Sequence, residues 1–115
     1  MALRKVEKKD FVYFSYTREN SKDLEDFRRE MVNEGCSVEN CKDVVLDLTA
    51  ATTFSSAELS ILIRLLKSME GKERFLRLIT PAHIKKIIVS TNINKLKNIQ
   101  LYDDLENMCN QLQNG

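Results

Sequence analysis

The sequence is poor in the residues on which nucleotide-binding loops depend. It has three glycines, one proline and no tryptophan in 115 residues. A phosphate-binding loop needs closely spaced glycines, but Gly35, Gly71 and Gly115 lie far apart. The sequence therefore excludes both the dinucleotide-binding fingerprint and the P-loop, and we expect no cofactor.

Metal-binding and catalytic residues are also scarce. The three cysteines fit a reducing compartment, and the pair Cys36 and Cys41 has only His83, far away in the sequence, as a further ligand. Zinc sites use about four ligands at recognisable spacings, so we expect no metal. His83 is not accompanied by a nucleophile in a recognisable motif, and no pair of acidic residues indicates acid–base catalysis. We therefore expect a binding and regulatory protein rather than an enzyme.

The chain has no marked excess of charge of either sign. It carries 18 basic and 17 acidic residues, a formal net charge of +1, whereas nucleic-acid binding typically needs a basic excess or stripe. It also lacks the apolar run of about 18 residues that a membrane span requires, and its first residues do not form a signal peptide. We expect a cytoplasmic protein that binds no nucleic acid. With 43% apolar and 30% charged residues, residues 1–115 should fold as one domain.

Hydrophobic periodicity predicts alternating strands and helices. Strands are predicted at residues 3–7, 11–16, 43–48, 75–79 and 98–102. One helix is predicted after each strand from the second to the fifth. The order β-β-α-β-α-β-α-β-α predicts an α/β fold with a mixed, mostly parallel sheet of about five strands, covered by about four helices. The continuous apolar run at residues 44–46 indicates a central strand buried on both faces.

Capping residues predict where the helices begin and end. Ser21 is the predicted N-cap of the first helix and Gly35 its C′ residue. Thr80 and Pro81 are the predicted N-cap and first residue of the third helix, and an aspartate at 103 or 104 caps the fourth. Apolar spacing gives the fourth helix a buried face that consists of Leu105, Met108, Cys109 and Leu112.

The most informative segment joins the buried strand at residues 43–48 to the helix predicted at residues 56–70. Its sequence Ser55-Ser56-Ala57-Glu58 fits S-x-x-E, a capping box that accounts for Ser55 and Glu58 as structural residues. The box does not account for Ser56, which occupies the first helical position and should point outward. Because a helix N-terminus favours an anion, Ser56 is a candidate phosphorylation site at which a phosphate would act as a charge switch.

These residues resemble a known family. The runs VVLDLT (residues 44–49) and FSSAEL (residues 54–59) resemble the core of a STAS domain, in which a strand leads through roughly Asp-Ser-Ser-Gly-Leu into an apolar helix. The Thr-Pro turn at residues 80–81 and the Asp-capped last helix match this family in kind and order. The resemblance covers about residues 3–112 and is to STAS domains of the anti-sigma factor antagonist type.

The resemblance implies a bacterial, cytoplasmic anti-sigma factor antagonist that regulates transcription by partner switching. The unphosphorylated chain would bind a serine-kinase anti-sigma factor, phosphorylation would release that partner, and a serine phosphatase would restore the unphosphorylated chain. The chain itself would be a monomer or a weak dimer. Ser56 matches the regulatory phosphoserine of the family, with Ser55 as the alternative acceptor. The partner-binding residues implied are Phe54, Ser55, Ser56, Ala57, Glu58 and Leu59.

Two departures from the family pattern favour a different function. Ser55 stands where the family has Asp, and Glu58 stands where it has Gly; a carboxylate at Glu58 would lie within a turn of any phosphate and work against the helix dipole. The alternative is a STAS scaffold that is not phosphorylated, a subunit of a larger signalling or transport-associated assembly. A third alternative is a small-ligand-binding α/β domain with its ligand at the carboxyl ends of the strands.

Overall fold

The computed structural model describes residues 3–36 and 42–114. The elements follow the predicted order: β1 (Leu3–Glu7), β2 (Phe11–Tyr16), α1 (Ser21–Cys36), β3 (Asp43–Asp47), α2 (Ser56–Met69), β4 (Leu76–Ile79), α3 (Ala82–Ser90), β5 (Ile99–Tyr102) and α4 (Leu105–Asn114). A short 3-10 turn, Ile93–Lys95, lies between α3 and β5. The loop predicted between α1 and β3 falls largely on residues 37–41, outside the described part of the chain.

The five strands form one mixed sheet in the order β1-β2-β3-β4-β5. β1 pairs with β2 in an antiparallel hairpin, and β2 to β5 are parallel to one another. Ser15 pairs with Asp47, and Asp47 pairs with Ile79, so the carboxyl ends of β2, β3 and β4 lie at the same edge of the sheet. The predicted α/β fold with a mostly parallel sheet is confirmed.

The two faces of the sheet pack against different helices. Val44 and Leu46 of β3 belong to the larger core, which also contains residues of α1, α2 and α3. Val45, which points to the other face, packs in a smaller cluster with Met108 of α4. All three β3 residues are fully buried, as expected of a strand at the centre of a sheet that is covered on both sides.

The start of α1 differs by one residue from the prediction. Ser21 is the first residue of the helix rather than its cap. Asn20 is the capping residue: its Oδ1 accepts from the Asp23 amide at 3.1 Å, and the Asp23 carboxylate accepts from the Asn20 amide at 3.1 Å. This reciprocal pair satisfies two amides that the first turn leaves free.

Gly35 does not end α1, so the prediction of a C′ glycine is wrong. The helix continues through Gly35 to Cys36, and Gly35 is not among the described residues with positive φ. Its lack of a side chain serves packing instead, because a Cβ there would lie 2.3 Å from Ser68 Oγ of α2. Gly35 thus permits the close approach of α1 and α2.

Two other helix ends also refine the predictions. α3 begins at Ala82 with Pro81 as the N-cap, so Thr80 is not the cap, and its buried hydroxyl has no hydrogen-bond partner among the described residues. Asp104 caps α4 by accepting from the Asn107 amide at 2.6 Å. The predicted apolar face of α4 is only half right: Met108 is buried and Cys109 half-buried, whereas the exposed residues include Leu105 and Leu112.

Candidate functional site

The candidate site lies at the carboxyl edge of the sheet, in the connection from β3 to α2. Asp47, the last residue of β3, accepts from the Thr49 amide at 2.9 Å and so turns the chain away from the sheet. The hydroxyl of Tyr13, from β2, also donates to the Asp47 carboxylate. α2 then begins at Ser56, with Ser55 as its N-cap. The connection is therefore anchored to the sheet before it reaches the two serines.

Ser55 and Glu58 form the capping box predicted from the sequence. The Ser55 amide donates to Glu58 Oε1 at 3.1 Å, and the Ser55 hydroxyl donates to the same oxygen. Ser55 is half-buried. Its hydroxyl is thus held against the helix end rather than presented to solvent.

The Glu58 carboxylate is fully buried and is the centre of a polar network. Tyr16 donates to its Oε2 at 3.0 Å, and Arg18 contacts its Oε1 at 3.3 Å while also lying 3.3 Å from Ser55 Oγ. Burial, together with the nearby Glu58 charge, raises the pKa of Tyr16. The Tyr16 ring stacks on Phe27 of α1, with centroids 4.2 Å apart. The network therefore ties β2, α1 and the start of α2 together.

This arrangement changes the role expected for Glu58. The sequence led us to expect a carboxylate that would repel a phosphate at the helix N-terminus. In the structure the Glu58 carboxylate lies beneath α2 and is paired with the Arg18 guanidinium, whose side chain is 30% exposed. Because the two charges offset each other, Glu58 does not add an unpaired negative charge beside Ser56.

Ser56 differs from Ser55 in its exposure and in the hydrogen bonding of its hydroxyl. It is the first residue of α2 and is exposed. Its carbonyl oxygen accepts from the Ser60 hydroxyl at 3.0 Å, but no described residue hydrogen-bonds to the Ser56 hydroxyl. A free hydroxyl at a helix N-terminus is open to modification, and an added anion there would meet the positive end of the helix dipole.

The other residues that the resemblance placed in the partner-binding surface are mostly internal. Phe54 and Leu59 are buried in the larger core, and Ala57 is half-buried. Thr52 and Thr53, which precede them, are exposed. Of the six residues in that set, only Ser56 is exposed, so the others shape the site mainly from beneath.

Sequence reasoning missed Tyr16 and Arg18. Both come at or just after the end of β2, and a parallel neighbour places the end of β2 beside the end of β3. The sequence signal that could have identified them is the presence of an aromatic hydroxyl and a guanidinium at the end of a strand that pairs with β3. The partner in the network, Glu58, lies 42 residues from Tyr16 in sequence, so the contact followed only from the strand pairing.

The remaining candidates for chemistry form no catalytic or metal-binding cluster among the described residues. His83 Nε2 lies 3.1 Å from the Ala51 carbonyl oxygen, which joins α3 to the connection after β3. Within residues 3–36 and 42–114, no three His, Cys, Asp or Glu side chains are grouped as a metal site would require. Over the same residues, every helix is too short or too polar to cross a bilayer.

Comparison with known proteins identifies the fold. No protein-family model matches the chain, and no curated protein matches its sequence. Among solved structures, a Thermotoga maritima protein described as a candidate anti-sigma factor antagonist is similar at 17% identity, with a TM-score of 0.78 over 96% of this chain and 94% of that one. The anti-sigma factor antagonist SpoIIAA in its unphosphorylated form is 10% identical, with a TM-score of 0.73 and 99% of both chains covered.

A third similar structure is a serine-to-glutamate variant of RsbS from Moorella thermoacetica. It is 16% identical to this chain and has a TM-score of 0.74, with 99% of this chain and 97% of that chain covered. These similarities extend over nearly the whole length of each protein, and the sequence identities are low. The chain therefore has the STAS fold of the anti-sigma factor antagonists.

Proposed function

We propose that this protein is an anti-sigma factor antagonist that acts in the bacterial cytoplasm by partner switching. Unphosphorylated, it binds a serine-kinase anti-sigma factor and thereby frees a sigma factor. The kinase then phosphorylates Ser56, the partner is released, and a serine phosphatase restores the first state. In this scheme the chain is substrate and ligand, and it catalyses no step.

The observation that carries the proposal is the difference between two adjacent serines. Ser55 is held by the Glu58 carboxylate and lies 3.3 Å from an Arg18 nitrogen, so phosphorylation of Ser55 would require breaking the cap of α2. Ser56 is exposed at the first position of the same helix. We therefore assign Ser56 as the acceptor, in preference to Ser55.

Phosphorylation of Ser56 would act by weakening the complex with the partner. A phosphoserine carries about −1.5 to −2 charges. Burying that charge in a closely packed interface costs roughly several kcal/mol through desolvation and like-charge contact, and about 2.8 kcal/mol corresponds to about a hundredfold in affinity. A partner that packs on Ser56 and on the exposed side of α2 would therefore be released by phosphorylation.

The partner-binding surface in this proposal is smaller than the full run of residues 54–59. Phe54 and Leu59 are buried and Glu58 fully so, which leaves the exposed Ser56, with the half-buried Ser55 and Ala57, to make direct contact. The buried residues hold the backbone of the loop in place. Their replacement would act through the shape and stability of the loop rather than through lost contacts.

A pull-down from lysate of the native host tests the proposal, with wild type, Ser56→Ala and Ser56→Asp as baits and partners identified by mass. We expect wild type and Ser56→Ala to retain an ATP-binding kinase-type protein and Ser56→Asp to lose it. Ser90→Asp is the control for an added negative charge elsewhere on the chain, because Ser90 is an exposed serine at the last position of α3. The unfolding midpoint of each bait shows that it is folded.

A scaffold that is never phosphorylated is the second candidate. The observation in its favour is that the capping box accounts for Ser55 and Glu58 without any modification. If all four baits retain the same partners, charge at Ser56 does not control binding. The partner switch is then wrong, and the scaffold subunit of a larger assembly replaces it.

A further inference from the structure

We infer that the groove between the second half of α2 and residues 95–98 is the docking site for an acidic amphipathic segment of the protein partner. This inference rests on the proposed function, because the groove continues the surface that Ser56 begins. It adds the chemistry of the partner: a segment with apolar side chains on one face and carboxylates beside them. We call this surface the lysine groove.

The two walls of the lysine groove carry apolar side chains. Ile63 and Leu66 of α2 line one wall, and Leu96 lines the other. Leu96 is 46% exposed, among the largest exposures of any apolar side chain in the described residues. The groove encloses about 500 Å³, which is room for several side chains of a docked segment. Covering Leu96 and the half-buried Ile63 would remove apolar surface from water and so favour association.

The rim of the groove is basic. Lys67, Lys95 and Lys97 line it, and Glu70 is the one acidic residue among the lining residues. All three lysines are exposed, and none makes an ion pair with another described residue. The whole chain has a net charge of only +1, so this rim is a local concentration of positive charge. Charge complementarity therefore selects an acidic occupant.

Hydrogen bonds already hold the two walls of the groove together in the free protein. Asn98 donates from Nδ2 to the Met69 carbonyl oxygen at 3.3 Å, and its own carbonyl accepts from the Leu76 amide at 2.7 Å. Asn92 and Asn98 adopt left-handed backbone conformations, with φ of 63° and 67°, which asparagine tolerates better than most residues. Because the walls are fixed to each other, docking would cost little ordering of the groove itself.

The lysine groove lies on the same stripe of α2 as Ser56. At about 3.6 residues per turn, the side chains at positions 56, 60, 63 and 67 fall within about 60° of arc. Ser56, Ser60 and Lys67 are exposed and Ile63 is half-buried. The stripe is about 16 Å long at about 1.5 Å per residue, so one partner helix laid along it would reach both ends.

This geometry explains how one modification would affect a partner held at two places. The Debye length at physiological salt is about 8 Å, so the repulsion between a phosphate at Ser56 and a carboxylate paired with Lys67, about 16 Å away, would be largely screened. The phosphate would repel the part of an acidic partner that lies beside Ser56. The groove would then contribute affinity that does not depend on phosphorylation, while Ser56 would control release.

The test uses two synthetic helical peptides that differ only in charge. Both carry Leu at i, i+3, i+4 and i+7, one with Glu and the other with Lys on the polar face. Each is titrated into the isotope-labelled full chain while amide shifts are followed by NMR. We expect the Glu peptide to shift the amides of residues 63–71 and 95–98 and to bind more weakly as salt rises. Equal binding of the two peptides, or shifts that map elsewhere, would overturn the inference.

Charge reversal in the protein supplies the second arm. The triple variant Lys67→Glu, Lys95→Glu and Lys97→Glu should bind the Glu peptide at least about tenfold more weakly, because each change replaces an attractive charge pair with a like-charge pair. The control makes the same charge change on the β1 hairpin, with Arg4→Glu, Lys8→Glu and Lys9→Glu, and should bind as wild type does.

Two further outcomes would assign the groove to a different occupant. A dimer in analytical ultracentrifugation that the groove variant abolishes would mean that a second copy covers it. Binding of the wild type to phosphatidylserine vesicles, lost in the groove variant, would mean a lipid surface. Either result would overturn the inference that an acidic protein segment occupies the groove.

The inference and the proposed function can fail separately. If a kinase-type partner is lost with Ser56→Asp but is retained at wild-type affinity by the groove variant, the switch stands and the lysine groove is wrong. If the groove variant weakens that partner and Ser56→Asp does not, the docking site stands and the phosphorylation switch is wrong.

Discussion

Replacing Glu58 with alanine should cost about 3 kcal/mol of unfolding free energy, worked from the groups it leaves behind. The Tyr16 hydroxyl is buried and would lose its acceptor, at about 1–3 kcal/mol. The Ser55 amide would lose its half of the capping box, at about 1 kcal/mol. The Arg18 side chain is 30% exposed, so water replaces its partner and the loss there is small.

Glu58→Gln is the matched variant. It keeps the shape of the side chain and one oxygen for the Ser55 amide, but removes the charge that pairs with Arg18. We expect it to cost about 2 kcal/mol, because the Gln oxygen keeps the bond from the Ser55 amide while its NH2 group cannot accept from the buried Tyr16 hydroxyl. The comparison of Ala with Gln therefore isolates the bond to the Ser55 amide from the loss that the two variants share.

Urea unfolding followed by far-ultraviolet circular dichroism measures both variants, and the chain has no tryptophan to serve as a fluorescent probe. With a slope of about 1.5 kcal/mol per molar urea for a domain of this size, Glu58→Ala should lower the midpoint by roughly 2 M. A midpoint for Glu58→Ala within about 0.5 M of wild type, or equal losses for the two variants, would refute the reasoning that the carboxylate is the buried centre of the network.

Two further predictions test packing and pH dependence. Gly35→Ala should destabilise the chain by about 1–2 kcal/mol in urea unfolding, because its Cβ would lie 2.3 Å from Ser68 Oγ; adding Ser68→Ala should recover stability, and a Gly35→Ala chain more stable than wild type would contradict the close approach. Burial and the bond to Asp47 raise the pKa of Tyr13 to about 12 from 10.0, so its stabilisation is complete below pH about 10 and is lost as pH rises toward about 12. Tyr13→Phe should therefore show a shallower decline of unfolding free energy across that range, and an unchanged slope would contradict it.

The order of the elements was predictable because each strand and helix has its own periodic signal. The apolar run at residues 44–46 identified the central strand, and the S-x-x-E pattern identified the start of α2. Gly35 was misread because the residue alone does not distinguish a left-handed helix end from a close helix contact. Only the position of Ser68 on α2, 33 residues further along the chain, decides between them.

The candidate site was predictable only in its local half. Ser55, Ser56 and Glu58 lie within four consecutive residues, so their relation follows from helix geometry. Tyr16 and Arg18 reach the site through the pairing of β2 with β3, and single-sequence patterns do not give the register of non-neighbouring strands. The lysine groove is similarly non-local, because it joins α2 to a segment that follows α3.

The pairing of Glu58 with Arg18 determines what a negative charge at Ser56 does to the free protein. A solvated carboxylate one turn away would repel a phosphate and oppose the helix dipole. Instead the Glu58 carboxylate lies under α2, 3.3 Å from an Arg18 nitrogen, so the helix N-terminus keeps its positive end. An aspartate or phosphate at the exposed Ser56 is then compatible with the fold, and its cost arises only where a partner must bury it. A binding switch requires this separation, which is why the Ser56→Asp bait must unfold at the midpoint of wild type before any lost partner is attributed to charge.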